Sequence, residues 1–212
     1  GDVYKRQAIT INREFGSGGR LVGEKLAETL NMKFVDKLML TEAAKLMGVT
    51  EEHLKSFDEK APSVWQVSSV NMGSYHGMSV PYYFYSVTNN DLYITQVNLI
   101  EKLAKENSCI FIGRCANVVL EDYPKRVSVF LYADKDFKKR MIEEIYHFTN
   151  LKDVDKEIKR IDKERSTYYT NYTGYKWRDP HQYDLMINTS DIGIENTVKL
   201  IQSYVKMKYG TI

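Results

Sequence analysis

The residues of this chain best suited to chemistry are those of the segment Arg13-Glu14-Phe15-Gly16-Ser17-Gly18-Gly19-Arg20. Three of the four positions 16–19 are glycine, so the backbone there lacks the Cβ atoms that hold a ligand away from amide groups. An apolar run precedes the segment and a helical pattern follows it. The start of that helix brings a partial positive charge and amides with no partner inside the helix. Gly16, Ser17, Gly18, Gly19 and Arg20 therefore form a candidate phosphate-binding loop. The same glycines would also serve a plain strand-to-helix turn, and a glycine cluster alone does not separate the two.

Phosphate chemistry asks a protein for positive charge more than for covalent participation, so arginines come next. Arg114 follows the apolar run 109–112 across Gly113, which predicts a place at the C-terminal edge of a parallel sheet, where α/β proteins bind ligands. Glu121 and Asp122 could instead make it an ordinary paired surface arginine. Arg140, Arg160 and Arg165 lie in two charged helical stretches, with Glu143, Glu144, Glu157 and Glu164 available as partners at helical spacing. Asp36 ends a short strand-like run, where it could orient a sugar hydroxyl or cap the next helix. Asp184 lies inside an apolar strand-like run and would be costly to bury without a partner.

Other residue types argue against competing chemistries. His53, His76, His147 and His181 are scattered without an i, i+4 pair, so no built-in zinc site is expected. Cys115 has no nucleophile context and is expected to pack as a small residue. The run Tyr168-Tyr169-Thr170-Asn171-Tyr172-Thr173-Gly174-Tyr175-Lys176-Trp177-Arg178 interleaves aromatics with cations, as in surfaces that stack single-stranded bases. With a net charge of only +2, a core or a contact between subunits is the expected use, and nucleic acid is not an expected partner.

Positioning these groups falls to short apolar strands at residues 8–12, 33–36, 109–112, 127–132 and 184–188. Between them, residues 21–30, 38–47, 89–107, 134–148, 154–169 and 194–207 carry apolar side chains at helical spacing, with Gly48 closing the second and a further short helix after Thr50. Alternation of strand and helix predicts a parallel sheet covered on both faces. Residues 59–88 hold Pro62, Gly73, Gly77 and Pro81 without a sustained period, which reads as a substrate-covering flap or a plain surface insertion. Residues 1–7 are polar and aperiodic and are set aside as a tag- or adaptor-like stretch or a disordered arm, leaving 8–212 as one domain.

The 212 residues, 43% of them hydrophobic, suffice for one substantial core. Two cysteines, Cys109 and Cys115, do not make a secreted disulfide framework. No apolar run approaches the roughly 20 residues of a membrane span, and a cytoplasmic protein without a membrane partner is expected.

Several blocks together carry a family resemblance: Thr10-Ile11-Asn12 with the glycine segment, Gly23-Glu24-Lys25-Leu26-Ala27-Glu28, Phe34-Val35-Asp36-Lys37, Ile112-Gly113-Arg114-Cys115-Ala116-Asn117, Asp162-Lys163-Glu164-Arg165-Ser166 and Tyr183-Asp184-Leu185-Met186-Ile187-Asn188-Thr189. In this order they resemble the cytidylate kinase-like family, relatives of the P-loop nucleoside monophosphate kinases. The resemblance implies a three-layer α/β P-loop NTPase sandwich with a parallel sheet and a lid over about 140–180. It implies ATP as donor, Mg2+ carried on the nucleotide with no metal site in the protein, and CMP, dCMP or a similar small molecule as acceptor. It places Asp36 and Arg114 on the acceptor side and Arg140, Arg160 and Arg165 at the lid. The candidate catalytic residues are then Arg20, Arg114, Arg140 and Arg165, and a homo-oligomer is compatible with the aromatic run.

Two departures qualify the kinase reading. The ordinary loop is G-x-x-x-x-G-K-[ST]. Aligned through Ala27 and Glu28, Gly19 stands at the lysine and Arg20 at the hydroxyl residue. Arg20 can donate to phosphate in pairs but cannot ligate magnesium. Cys115 stands where the cytidylate kinases carry Asp, which puts cytosine preference in doubt. A nucleotide sensor without turnover and a sulfotransferase-like P-loop group transferase are the alternatives to a kinase.

Overall fold

The computed structural model describes residues 5–36, 48, 89–146 and 151–210. Strands β1 (Ala8–Arg13), β2 (Lys33–Val35), β3 (Cys109–Ile112), β4 (Arg126–Tyr132) and β5 (Leu185–Asn188) form one sheet in the order β2-β3-β1-β4-β5. Every neighbouring pair is parallel. Central β1 pairs with β3 from Ala8 opposite Cys109 to Ile11 opposite Ile112, and with β4 from Ala8 opposite Arg126 to Arg13 opposite Leu131.

Helices α1 (Gly19–Thr29), α2 (Asn89–Glu106), α3 (Ala116–Val119), α4 (Lys135–Tyr146), α5 (Leu151–Thr173) and α6 (Thr189–Tyr209) complete the described fold, with a 3-10 turn at Pro180–Gln182. Side chains alternate along each strand, so β1 buries Ile9 and Ile11 on one face and Ala8 on the other. Ile9, Ile11, Ile110 and Val129 pack with Val22 and Leu26 of α1 and Val198, Ile201 and Val205 of α6. Ala8, Cys109 and Phe111 pack with Leu99, Ile100 and Leu103 of α2 and Ala116 of α3. Burial on both faces is why the strands read as continuous apolar runs, and it makes the three expected layers. At about 1.5–3 kcal/mol per fully buried aliphatic or aromatic side chain, these two layers are the main driving force for the fold.

Gln7, set aside from the sequence with residues 1–7, is instead built into the sheet edge. Its side chain is 5% exposed, its amide donates to Ser108 Oγ at 3.1 Å and its carbonyl accepts from the Cys109 amide at 2.9 Å. Those backbone bonds fix its place immediately before β1, whatever its side chain. The aromatic run also turns inward. Tyr169 and Trp177, each 2% exposed, pack with Phe130, Tyr183 and Cys115, while Tyr172 stacks on Tyr93 with ring centres 4.0 Å apart. Of the two expected uses, a core or a contact between subunits, the described residues show the core, and it extends α5 beyond residue 169. The expected helices at 38–47 and after Thr50 and the flap at 59–88 lie outside the described residues, apart from Gly48, whose φ is +64°. No helix among the described residues is long and apolar enough to cross a membrane.

Candidate functional site

The chain leaves β1 at Arg13 and enters the glycine loop. The Glu14 amide donates to Leu131 O at 2.9 Å and the Phe15 amide to Asp162 Oδ1 at 2.7 Å, which fixes the direction of exit. Gly16 and Gly18 then take φ of +81° and +79°, left-handed values that glycine adopts without a Cβ penalty. Gly18 opens α1 without a side-chain cap, so no capping group competes for the first-turn amides. Helix α6 braces the loop from behind: Thr189 Oγ1 donates to Ser17 O at 2.7 Å, and a Cβ at Gly18 would lie 2.3 Å from Ile194 Cδ1. These two bracing residues flank Gly193, where φ 75° and ψ 171° break the helix.

An ionic cluster clasps the same loop from the side, its Glu14, Lys138 and Asp162 nearly buried and its Arg178 exposed. Lys138 of α4 pairs with Glu14 and stands 3.8 Å from Asp162 of α5. Arg178 Nε reaches Glu14 Oε1 at 2.9 Å, and its Nη2 lies 3.6 Å from Asp162. Burial pushes the Asp162 carboxyl above its ordinary pKa, against the opposing pull of the Phe15 amide and Lys138. Two acids and two cations therefore tie the loop to both helices of the expected lid.

Beside the loop, at the C-terminal edge of the sheet, lies a cavity of about 460 Å³. Asn12, Arg13 and Phe15 line it from the end of β1, Asp36 from the end of β2, and Arg114 and Cys115 from the turn after β3. Helix α5 adds Arg160, Arg165 and Tyr168 to the lining. The turn is strained: Gly113, Arg114 and Cys115 have φ of +69°, +58° and +58°, and a non-glycine residue held in a sparsely populated region costs of order 1–3 kcal/mol. The Arg114 guanidinium lies 6.0 Å from the Tyr168 ring centre. Arg165 Nη1 donates to Arg13 O at 3.0 Å with its guanidinium 5.8 Å from the Phe15 ring centre. Beneath the cavity, Asn12 Nδ2 donates to Asn117 Oδ1 at 3.1 Å and Tyr183 Oη at 3.2 Å, and Asn117 Nδ2 to Tyr169 Oη at 2.9 Å. Burial pushes the Cys115 thiol up to about 12, so it offers no thiolate near neutral pH.

The structure brings Arg114, Arg165 and Asp36 to one cavity; Gly16, Ser17, Gly18 and Gly19 do not line it and follow directly on Phe15, which does. Arg20 is placed differently: it is exposed on α1, donates to Glu24 Oε1 at 2.9 Å and pairs with Asp36. Arg160 lines the cavity but donates to Glu157 at 2.9 Å and Glu164 at 2.6 Å, the helical-spacing partners noted from the sequence. Arg140 is exposed on α4 and does not line the cavity. Arg13, Glu14 and Phe15 belong to the segment singled out from the sequence but were given no role of their own there, and the cluster of Glu14 with Lys138, Asp162 and Arg178 was not anticipated. Arg13 and Glu14 sit at the head of the glycine segment, a position that could have flagged them. Nothing local links Asp162 to the Phe15 amide across 147 residues.

Comparison with known proteins follows the same lines. No curated protein matches the sequence. The crystal structure of an uncharacterized protein from Eubacterium ventriosum ATCC 27560 is 28% identical, covers 95% of this chain and 99% of that one, and superposes with a TM-score of 0.71. Shikimate kinase from Bacteroides thetaiotaomicron matches at 13% identity and TM-score 0.53, covering 94% of this chain and 98% of its own. Shikimate kinase from Acinetobacter baumannii in complex with shikimate matches at 13% and 0.53, covering 98% and 97%. The two kinases show that the fold is that of the P-loop, nucleoside monophosphate kinase-like proteins. A family model covering residues 8–191 takes in the glycine loop, the strained turn and the clasping acid alike, and the chain belongs to the cytidylate kinase-like family.

Proposed function

We propose that this chain transfers the terminal phosphoryl group of ATP to a small anionic acceptor, with CMP and dCMP the first to test. The observation that carries the reading is the cavity itself: Arg114 from the turn after β3 and Arg165 from α5 both line it, next to the segment that leads into a glycine loop and opens a helix. The acceptor oxygen forms a new bond to the γ-phosphorus as the bond to the bridging β–γ oxygen breaks, and ADP leaves. Arg114 holds the acceptor's anionic group, Asp36 orients its polar edge, and Arg165 faces the transferring group. Helices α4 and α5 act as the lid. Among the described residues no group of three or more His, Cys, Asp or Glu forms a metal site, and position 20 has no hydroxyl. In this reading magnesium arrives with the nucleotide, held by its phosphates and water.

The missing lysine and hydroxyl favour one second reading, a sensor that binds nucleotide without turning it over. ADP release measured with ATP and a panel of CMP, dCMP, other nucleoside monophosphates and shikimate separates the two. A kinase shows acceptor-stimulated release with at least one of them. ATP binding without stimulation by any would support the sensor.

A further inference from the structure

We infer that Arg13 takes the place of the missing loop lysine and binds the donor nucleotide's phosphates, an inference that rests on the nucleotide-binding reading of this site. In the pattern G-x-x-x-x-G-K-[ST] the first glycine stands six positions before the lysine. With Gly18 as the second glycine, position 19 is the lysine and position 13 the first glycine. Here the two residue types are exchanged: the cation is Arg13 and the glycine is Gly19.

The structure shows why the exchange must be mutual. A Cβ at Gly19 would lie 2.5 Å from Arg13 Cβ and 2.6 Å from Arg13 Cγ, closer than real carbon atoms approach. The arginine stem thus fills the space into which a side chain at position 19 would project. Its guanidinium extends toward the turn after β3, where Arg13 Nη1 lies 2.7 Å from the position a Cβ on Gly113 would take. Two glycines, one at each end, make room for one side chain. Arg13 lines the cavity, and Arg165 holds its backbone carbonyl at 3.0 Å. The guanidinium therefore lies between the loop that would hold the donor and the turn that carries Arg114. Arg20 is exposed on α1, donates to Glu24, pairs with Asp36 and does not line the cavity.

Calorimetry of ATP, inorganic tripolyphosphate and adenosine on the full chain tests this. Arg13→Met keeps the stem over Gly19 and removes the charge. It should weaken ATP and tripolyphosphate about ten-fold or more while leaving adenosine unchanged. Arg13→Lys should retain part of the affinity. Gly19→Lys alone should weaken ATP through the clash, and the double variant Arg13→Gly with Gly19→Lys should bind ATP better than either single change, a non-additive result that a merely structural arginine does not produce. Unaltered ATP affinity in Arg13→Met, equal losses for all three ligands, or a ten-fold loss confined to Arg20→Ala would overturn the inference. Wild-type protein that binds neither ATP nor tripolyphosphate would overturn the nucleotide reading beneath it.

Discussion

At the N-terminal edge of the sheet, Asp184 accepts from the Ser128 amide at 2.8 Å and from Lys208 Nζ at 2.9 Å. Burial acts to raise its pKa, but Lys208 and the amide outweigh it and hold the carboxyl below its ordinary value. At the C-terminal edge, Asp162 accepts the Phe15 amide and faces Lys138 and Arg178, yet burial prevails and its carboxyl is held above that value. The difference lies in sharing. Lys138 and Arg178 both serve Glu14 as well, and the Glu14 charge itself opposes ionisation of Asp162. One edge is electrostatically relaxed. The other combines a desolvated acid, shared cations and two left-handed non-glycine residues, the arrangement expected where a fold retains strain for a ligand.

The strongest way to break that comparison is Asp162→Ala. Removing Asp162 leaves the buried Phe15 amide without its acceptor and takes one carboxylate partner from Lys138, a loss of about 3 kcal/mol. Urea unfolding should show a loss of that order, along with weaker ATP binding as the loop loses its clasp. A loss below about 1 kcal/mol would mean that the braces from α6 hold the loop unaided. Gly18→Val comes next. A branched side chain would meet Ile194 and adopt φ near +79°, so a fall of about 3 kcal/mol, or roughly 6–12 °C in Tm, is expected together with loss of ATP binding. Gly174→Ala provides the contrast: its φ is +75° but nothing lies within 4 Å of the added Cβ, so only the backbone cost of about 1–2 kcal/mol applies. Unchanged ATP affinity in Gly18→Val would remove the loop from the binding site.

The sheet and most helices were legible because apolar periodicity is a local property: residues 109–112 read as a strand and are one. The glycine loop was legible for the same reason, since its glycines are contiguous. What the sequence hid depends on distant residues meeting. The partnership of Asp162 with Phe15 and the approach of Arg13 to both Gly19 and Gly113 exist only once β1, β3 and α5 converge. Arg20 looked like the substitute cation because it stands next to the vacant lysine position. One step along a helix rotates a side chain by about 100°, and that rotation sends Arg20 toward Asp36. The aromatic run read equally as a core or a subunit contact, because the residues that receive Tyr169, Phe130 and Tyr183 among them, are distant in sequence.

Arg114 sharpens the comparison at the strained turn. Arg114→Ala should weaken the acceptor about ten-fold, the usual scale for losing a charge-assisted contact, with ATP affinity unchanged. Arg114→Gly should lose the same acceptor affinity while raising stability by about 1 kcal/mol, because glycine adopts the left-handed conformation without a Cβ penalty. A variant that binds acceptor normally would show that Arg114 serves Tyr168 and the fold only.

The smallest effect is one of sign, and it compares the two acids directly. Asp184 has its folded pKa below the ordinary 3.8, so its contribution to stability is present above that pH and is lost as pH falls through the folded value. Asp162 has its folded pKa above 3.8, so its contribution is present below that pH and is lost as pH rises through the folded value. The stability of wild type relative to Asp184→Asn should therefore grow with pH on the acid side of neutrality. Relative to Asp162→Asn it should shrink. Asparagine keeps an oxygen for the Ser128 or Phe15 amide, so the two differences isolate charge from hydrogen bonding. Urea unfolding of the three proteins between about pH 3 and 6 reads both slopes. Slopes of the same sign would show that both edges treat a buried carboxylate alike, and the distinction between a relaxed edge and a strained one would then rest on the turn at Arg114 alone.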